Sequence, residues 1–300
     1  MRKLLIDTDP GTDDSIAIVM ANKCDEFEVV GMTTCSGNVD IEYTTKNALA
    51  LLSMMDWDIP IAKGDGKSLS YENRFATVHG KKGMGDIEFD EKDIKYDLED
   101  DLAHDFIYKV AKDCGKLDLL FIGPLTNLAK ALQKYPDIKE YIGDVFVMGG
   151  GLDVGNITKY AEFNIYVDPV AANIVFDSGL DVYLIGLNLT EKAKIVKEDL
   201  KDIKPVDKTR KFVLDVFDFM FNRSTTHGYN EDALMHDALA LYAYIRPDAF
   251  IFEHLPISVK EKGDEKGETY IDSSKEKNVY FAKEFNMDAF RKYLVNCLKK

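Results

Sequence analysis

Leu4-Leu5-Ile6-Asp7-Thr8-Asp9-Pro10-Gly11-Thr12-Asp13-Asp14 is an apolar run that breaks into four aspartates within eight residues, and a second apolar run, Ile16-Ala17-Ile18-Val19-Met20, follows at once. A strand that feeds a polar turn and then a helix is the opening of a βαβ unit. So much like charge in one turn is unfavourable unless something cationic sits there. Carboxylate oxygens are hard ligands, and without His or Cys beside them they suit Ca²⁺ or Mg²⁺ rather than Zn²⁺. The plainer reading is helix capping, since Asp is a favoured N-cap and the helix dipole welcomes acid in the first turn. Capping explains Asp13 or Asp14 and leaves the other three without a reason, so the segment reads first as a cation or polyol site.

The same alternation continues down the chain. Residues 3–6, 28–34, 117–122, 145–148 and 182–185 read as strands, and residues 15–21, 41–55, 102–112, 127–132 and 169–176 as helices. This predicts an α/β fold with a mostly parallel central sheet and helices on both faces, Rossmann-like in layout. Residues 63–101 are rich in Gly and charge and lack a period, which predicts a long excursion over the surface or over a site mouth. Helices are expected at 208–221, 238–245 and 287–298, and shorter strands at 252–259, 269–271 and 279–282, with Gly263 and Gly267 turning between the first two of these strands. No composition break marks a linker, so residues 1–300 read as a single domain.

A hydrophobic content of 46% in 300 residues is enough for a substantial core, and a formal charge of −15 works against nucleic acid and anionic membrane surfaces as partners. The cysteines, Cys24, Cys35, Cys114 and Cys297, have no paired spacing, so they are expected as reduced thiols in a cytoplasmic protein. Arg2-Lys3 precedes only three apolar residues before Asp7, too few for a signal peptide, and no run approaches membrane-spanning length.

In an open parallel sheet, ligands bind beyond the carboxyl ends of the strands. Those ends are polar here: the aspartates, then Ser36-Gly37-Asn38, then Gly123-Pro124-Leu125-Thr126-Asn127, then Gly149-Gly150-Gly151. Taken alone each is weak. The glycines fit a phosphate nest or a tight turn, Thr126 fits a helix N-cap as well as a ligand, and Asn38 fits a turn. In Ala161-Glu162-Phe163-Asn164, extended alternation would send Glu162 and Asn164 to one side, where the pair could hold a polyol. His236-Asp237 precedes the apolar run Ala238-Leu239-Ala240-Leu241, with Asp237 readable as an N-cap and His236 as a structural histidine.

Together these segments resemble the inosine-uridine preferring nucleoside hydrolases. The resemblance rests on the opening aspartate motif, Gly37-Asn38, His79-Gly80 with Gly83-Met84-Gly85, Gly123 to Asn127, Val147 to Gly151, Gly155-Asn156, Ala161 to Asn164 and His236-Asp237, in the family's order over nearly the whole chain. It implies Ca²⁺-dependent hydrolysis of the N-glycosidic bond of ribonucleosides. The ion would be held by Asp9, Asp14, Asp237 and the backbone carbonyl of Thr126, with Asp9 as general base on a metal-bound water. Asp13, Asn38, Asn156, Glu162 and Asn164 match positions that grip the ribose, and Met148 lines its pocket. Among the substrate-binding positions we also count His79 and Phe163. His236 matches a position near the leaving base that can protonate it, and Tyr229, in the polar set Arg223 to Tyr229, is a candidate for stacking on the base. His227 reads as a second proton donor or as a surface residue. The resemblance also implies a homodimer or homotetramer.

Two rival readings share parts of this pattern. Haloacid dehalogenase phosphatases also begin with a strand and Asp-x-Asp, but two further acids here would repel a phosphate, and no convincing downstream lysine and paired-acid constellation follows. A non-catalytic nucleoside- or ribose-binding homologue keeps the fold without turnover; retention of Asp9 and of every proposed metal-site acid argues against it.

Overall fold

β1 (Arg2–Thr8) is buried from Leu4 onward, and its side chains alternate between two cores. Leu4 and Ile6 enter one hydrophobic cluster and Leu5 the other. β4 and β5 repeat the alternation, with Leu120, Phe146 and Met148 on the first side and Leu119, Phe121, Val145 and Val147 on the second. A sheet whose strands are apolar on both faces must be covered on both. This computed structural model describes residues 1–70, 74–76, 79–85, 87–226 and 232–300.

The chain runs through β1, α1 (Thr12–Asn22), β2 (Phe27–Thr34), α2 (Ile41–Met54), β3 (Ile61–Lys63), α3 (Ala103–Cys114), β4 (Leu117–Phe121), α4 (Thr126–Lys134) and β5 (Ile142–Met148). There follow α5 (Phe163–Val167), α6 (Pro169–Phe176), β6 (Asp181–Ile185), α7 (Leu187–Thr190), β7 (Lys194–Val196), α8 (Lys197–Leu200), α9 (Lys208–Thr226), β8 (Asp232–Leu234) and α10 (His236–Ile245). The last elements are β9 (Phe250–Leu255), β10 (Ile257–Val259), β11 (Thr269–Ile271), β12 (Val279–Phe285) and α11 (Met287–Lys299). The main sheet has the order β3-β2-β1-β4-β5-β6-β12-β9, parallel throughout except for the antiparallel edge strand β9. The chain winds outward from β1 in one direction through β2 and β3, and in the other through β4, β5 and β6. The carboxyl ends of β1 and β4 therefore flank the switch point, where an open α/β sheet leaves a crevice.

The expected strand at 252–259 is two strands. Pro256 has no N–H to continue the ladder, so β9 stays on the main sheet while β10 pairs with β11 in a separate hairpin. Gly263 and Gly267, both at φ +83°, turn that hairpin as expected. The 161–164 segment is not extended: Glu162 is the N-cap of α5, and Phe163 and Asn164 are already helical. Short β3 and the β7/β8 pair had no recognisable pattern in sequence. Cys24, Cys35 and Cys297 are buried and Cys114 half-buried, all as free thiols. Among the described residues no helix is long and apolar enough to cross a membrane.

Candidate active site

The turn between β1 and α1 buries its acids almost completely: Asp7, Asp9 and Asp14 have no exposed surface and Asp13 has 6%. Asp14 closes the turn. Its carboxylate accepts from Thr8 Oγ1 at 2.7 Å, from the Gly11 N–H at 3.0 Å and from Asn38 Nδ2 at 2.9 Å. Gly11, not Asp13 or Asp14, is the flanking residue at the helix start. Asp9 accepts the Asn38 N–H on Oδ2 at 2.6 Å, and its carbonyl takes Asn38 Nδ2 at 3.0 Å. Its Oδ1 is buried with no hydrogen-bond partner. Neighbouring chain approaches Asp9 so closely that a Cβ at Gly37 would lie 2.1 Å from Oδ2 and one at Gly123 2.6 Å from Oδ1. Asp7 serves another purpose. Its Oδ2 accepts from Thr33 Oγ1 at 2.6 Å and Asn127 Nδ2 at 2.7 Å, and Asn127 also reaches the Thr34 carbonyl, so β1, β2 and α4 are tied together beneath the site.

Asp237, in the first turn of α10, completes the group: carboxylate oxygens of Asp13, Asp14 and Asp237 all lie within 4.8 Å of one another. The sequence set put Asp9 in this group and Asp13 on the sugar. In the structure the oxygens of Asp13, Asp14 and Asp237 are grouped, and Asp9 is linked to Asp14 through Asn38. Burial, and then repulsion from Asp13, pushes the Asp14 carboxyl up to about 6. Burial likewise takes Asp13 to about 6 and drives Asp9 and Asp237 well above the usual carboxylate range, with the neighbouring acids adding to it. Oxygen-only donors, crowded and desolvated, fit a hard divalent cation. Thr126 is the first residue of α4, capped by Leu125 rather than capping it, and its hydroxyl donates to Asp168 Oδ2 at 2.7 Å.

The sugar-side candidates gather at the ends of β4 and β5. Asn164 Nδ2 donates to the carbonyls of Ile122 at 3.0 Å and Met148 at 3.2 Å and lies 3.4 Å from Met148 Sδ. Glu162 accepts the backbone N–H groups of Gly150, Asn164 and Ile165 at 2.9–3.0 Å; burial pushes its carboxyl up to about 7 against the pull of those donors. Gly149 to Gly151 thus aim a backbone N–H at Glu162, which leaves the phosphate-nest reading without support. Phe163 is buried. Asn156 is exposed; its side-chain oxygen accepts the Phe163 N–H at 2.9 Å and its backbone N–H donates to the Ala161 carbonyl at 3.0 Å. Asn38 donates its amide hydrogens to the Asp9 carbonyl and the Asp14 carboxylate, which fixes its side chain among the acids.

Two histidines belong to this region: His79 approaches Asp13, and His236 precedes Asp237 at the start of α10. His79 Nδ1 accepts the Thr12 N–H at 3.2 Å and meets Thr12 Oγ1 at 2.9 Å, so its hydrogen is on Nε2; the ring lies 3.9 Å from Asp13. Burial, then the nearby Arg223 and His236, pushes its pKa down to about 3. His236 opens α10, its Nδ1 2.8 Å from Thr190 Oγ1, and burial lowers it to about 4. Both rings are neutral near pH 7. His227 and Tyr229 lie outside the described residues.

Sequence reasoning missed Thr190, Asn127 and Asp168. Asp168 receives Leu69 N–H, Ser70 Oγ, Thr126 Oγ1 and Ala171 N–H, so it binds the loop before residue 71 to α4 and α6. Its Asp-Pro helix start was the one visible signal. A separate cavity of about 510 Å³, lined by Leu152, Asn188, Thr269 and Phe281 among others, contains none of the site acids.

At the switch-point crevice, buried acids from the β1–α1 turn and from α10 converge into an oxygen-only group that could hold a hard divalent cation. Residues 4–292 match the model of the inosine-uridine preferring nucleoside hydrolases. The chain is 35% identical to the non-specific ribonucleoside hydrolase RihC of Escherichia coli, over 98% of this chain and 97% of that one. It is also 35% identical to uridine nucleosidase 1 of Arabidopsis thaliana, over 90% and 82% respectively. A purine-preferring ribonucleoside hydrolase from Gardnerella vaginalis superposes with a TM-score of 0.93 at 31% identity, covering 99% of this chain and 98% of that one. The chain belongs to the inosine-uridine preferring nucleoside hydrolase family, a family of ribonucleoside N-glycosidases.

Proposed function

We propose that this enzyme hydrolyses the N-glycosidic bond of ribonucleosides to ribose and free base, with Asp9 as general base and His236 as leaving-group acid. In this proposal Asp9, Asp14, Asp237 and the backbone carbonyl of Thr126 hold a Ca²⁺ ion. The observation that carries the reading is the buried, partnerless Oδ1 of Asp9 beside the Asp13, Asp14 and Asp237 carboxylates. Once bound, such an ion supplies Lewis-acid chemistry, lowering the pKa of a water and ordering hydroxyl oxygens.

The chain's own residues account for the rest. Cleavage builds positive charge on the anomeric carbon, and the carboxylates of Asp9, Asp13 and Glu162 surround the sugar position with negative charge. The Asn38 N–H holds Asp9 Oδ2, leaving Oδ1 to take the proton of the attacking water. Asp13, Asn38, Asn156, Glu162 and Asn164 orient the ribose, Met148 and Phe163 wall its pocket, and His79 offers Nε2–H to the substrate. Tyr229 is assigned to the base. In this proposal His236, whose Nδ1 lies 2.8 Å from Thr190 Oγ1, takes up a proton when the substrate is bound and gives it from Nε2 to the departing base, ending as the neutral imidazole. A cytoplasmic setting and a homodimer or homotetramer belong to the same proposal.

His236→Ala is expected to slow hydrolysis of a natural purine nucleoside by roughly 10²- to 10⁴-fold, the range typical of a general acid. A p-nitrophenyl riboside needs no such proton, so the same variant should retain most of its activity on it. Equal losses on the two substrates would make His236 structural.

A further inference from the structure

Asn47, buried on α2 with 5% of its surface exposed, has no part in the chemistry described so far. Its single amide nitrogen donates to two carbonyls, Pro10 O at 3.1 Å and Lys82 O at 2.8 Å. Pro10 lies between Asp9 and Gly11 in the acid turn. Lys82 lies in the strap His79-Gly80-Lys81-Lys82-Gly83-Met84-Gly85, so one side chain ties the two segments together.

The strap follows a path that depends on that tie. Gly80, Gly83 and Gly85 all have positive φ, at 78°, 90° and 63°. At Gly83 a Cβ would lie 2.9 Å from Asn47 Nδ2 and 3.1 Å from Pro10 O, so only glycine lets the strap come close enough for the clamp. Beyond it Met84 is buried in the core with 1% exposed, and the Gly85 N–H returns to the His79 carbonyl at 2.7 Å. The His79 ring is held by Thr12 on the other side. Two anchors thus locate this histidine over the acids, and the second has Asn47 at its root.

We infer that Asn47 is a positioning residue that fixes where His79 presents its Nε2–H to the substrate, by clamping the 79–85 strap to the acid turn. The inference rests on the substrate-contacting role proposed for His79. Deleting the amide leaves two carbonyls without their donor and releases the strap near Lys82, while Asp9 and Asp14 keep their own hydrogen bonds from Asn38, Thr8 and Gly11.

The test is a mutant cycle on kcat/KM for a ribonucleoside, using Asn47→Ala, His79→Ala and the double variant, with tryptic cleavage after Lys81 and Lys82 followed by mass spectrometry. Asn47→Ala is expected to lose roughly 10- to 100-fold, the scale of a misplacement of about 1 Å, and to be cut faster at the strap. In the His79→Ala background the second substitution should cost nothing more. The inference is overturned if Asn47→Ala keeps wild-type kcat/KM, if the two losses multiply, or if His79→Ala has no effect. Should Asn47→Ala fail to fold, the cycle is run with Asn47→Ser; failure of both would make Asn47 a folding residue and end the proposal. Wild-type protein that releases no ribose would instead sink the functional reading, and the tryptic comparison would still report on the clamp.

Discussion

A 2′-deoxyribonucleoside is expected to be hydrolysed about 10⁴-fold less efficiently, in kcat/KM, than the ribonucleoside carrying the same base. A site built around a hydroxyl rejects the analogue lacking it by this order, because buried polar groups are left unpaired. Here those groups are Asp13, with only 6% of its surface exposed, and the carboxylates of Asp14 and Asp237 within 4.8 Å of it. Removing one hydroxyl exchanges a bound oxygen for an apolar hydrogen facing desolvated acids. The comparison is independent of base recognition, since the base is held constant. A ratio near one would remove ribose from the acid cluster and return Asp13 to the role of an acid in a helix's first turn.

Stringent chelation is expected to abolish hydrolysis, and added Ca²⁺ to restore it. Asp9, Asp13, Asp14 and Asp237 are all buried, and burial raises every one of their carboxyls, with repulsion from neighbouring acids adding to it at Asp9, Asp14 and Asp237, so the fully charged cluster is unfavourable without a cation. A cation bound to the folded state alone also stabilises it, by about 4 kcal/mol when its free concentration is 1,000 times its Kd. Metal-depleted protein should therefore melt at a lower temperature, and purified protein should carry about one Ca²⁺ per chain by elemental analysis. Full activity in protein shown to be metal-free would contradict the proposed site.

Much of the architecture could be read from residue patterns, because a parallel sheet buried on both faces makes its strands continuous apolar runs. Once β1, β2, β4 and β5 were placed, the rule that ligands bind beyond strand ends brought the aspartates, Asn38, Thr126 and the 149–151 glycines to one edge. What escaped depends on partners far apart in sequence. Glu162 and Asn164 looked extended because nothing local announces that Gly150 will donate to Glu162 and that α5 will start there. Pro256 was visible, yet a run of apolar residues on both sides masked the break it makes between β9 and β10. β3 is three residues long, too short for any period to register. Asp7 looked like one more ligand in an acid cluster, and only the arrival of Thr33 and Asn127 gives it a structural role. Asn47 appeared as an ordinary polar residue in a helix, and its importance exists only once the strap and the acid turn pack on either side of it.

The central claim is turnover of ribonucleosides, and its most direct test is to incubate the purified, calcium-replete protein with a panel of purine and pyrimidine ribonucleosides and quantify free ribose and free base. The account predicts that at least one of them yields ribose and base in equal amounts, catalytically and with no added phosphate. Nucleosides that bind but release no ribose would contradict it and mark the chain as a binding homologue that has kept the fold and the acids without the reaction.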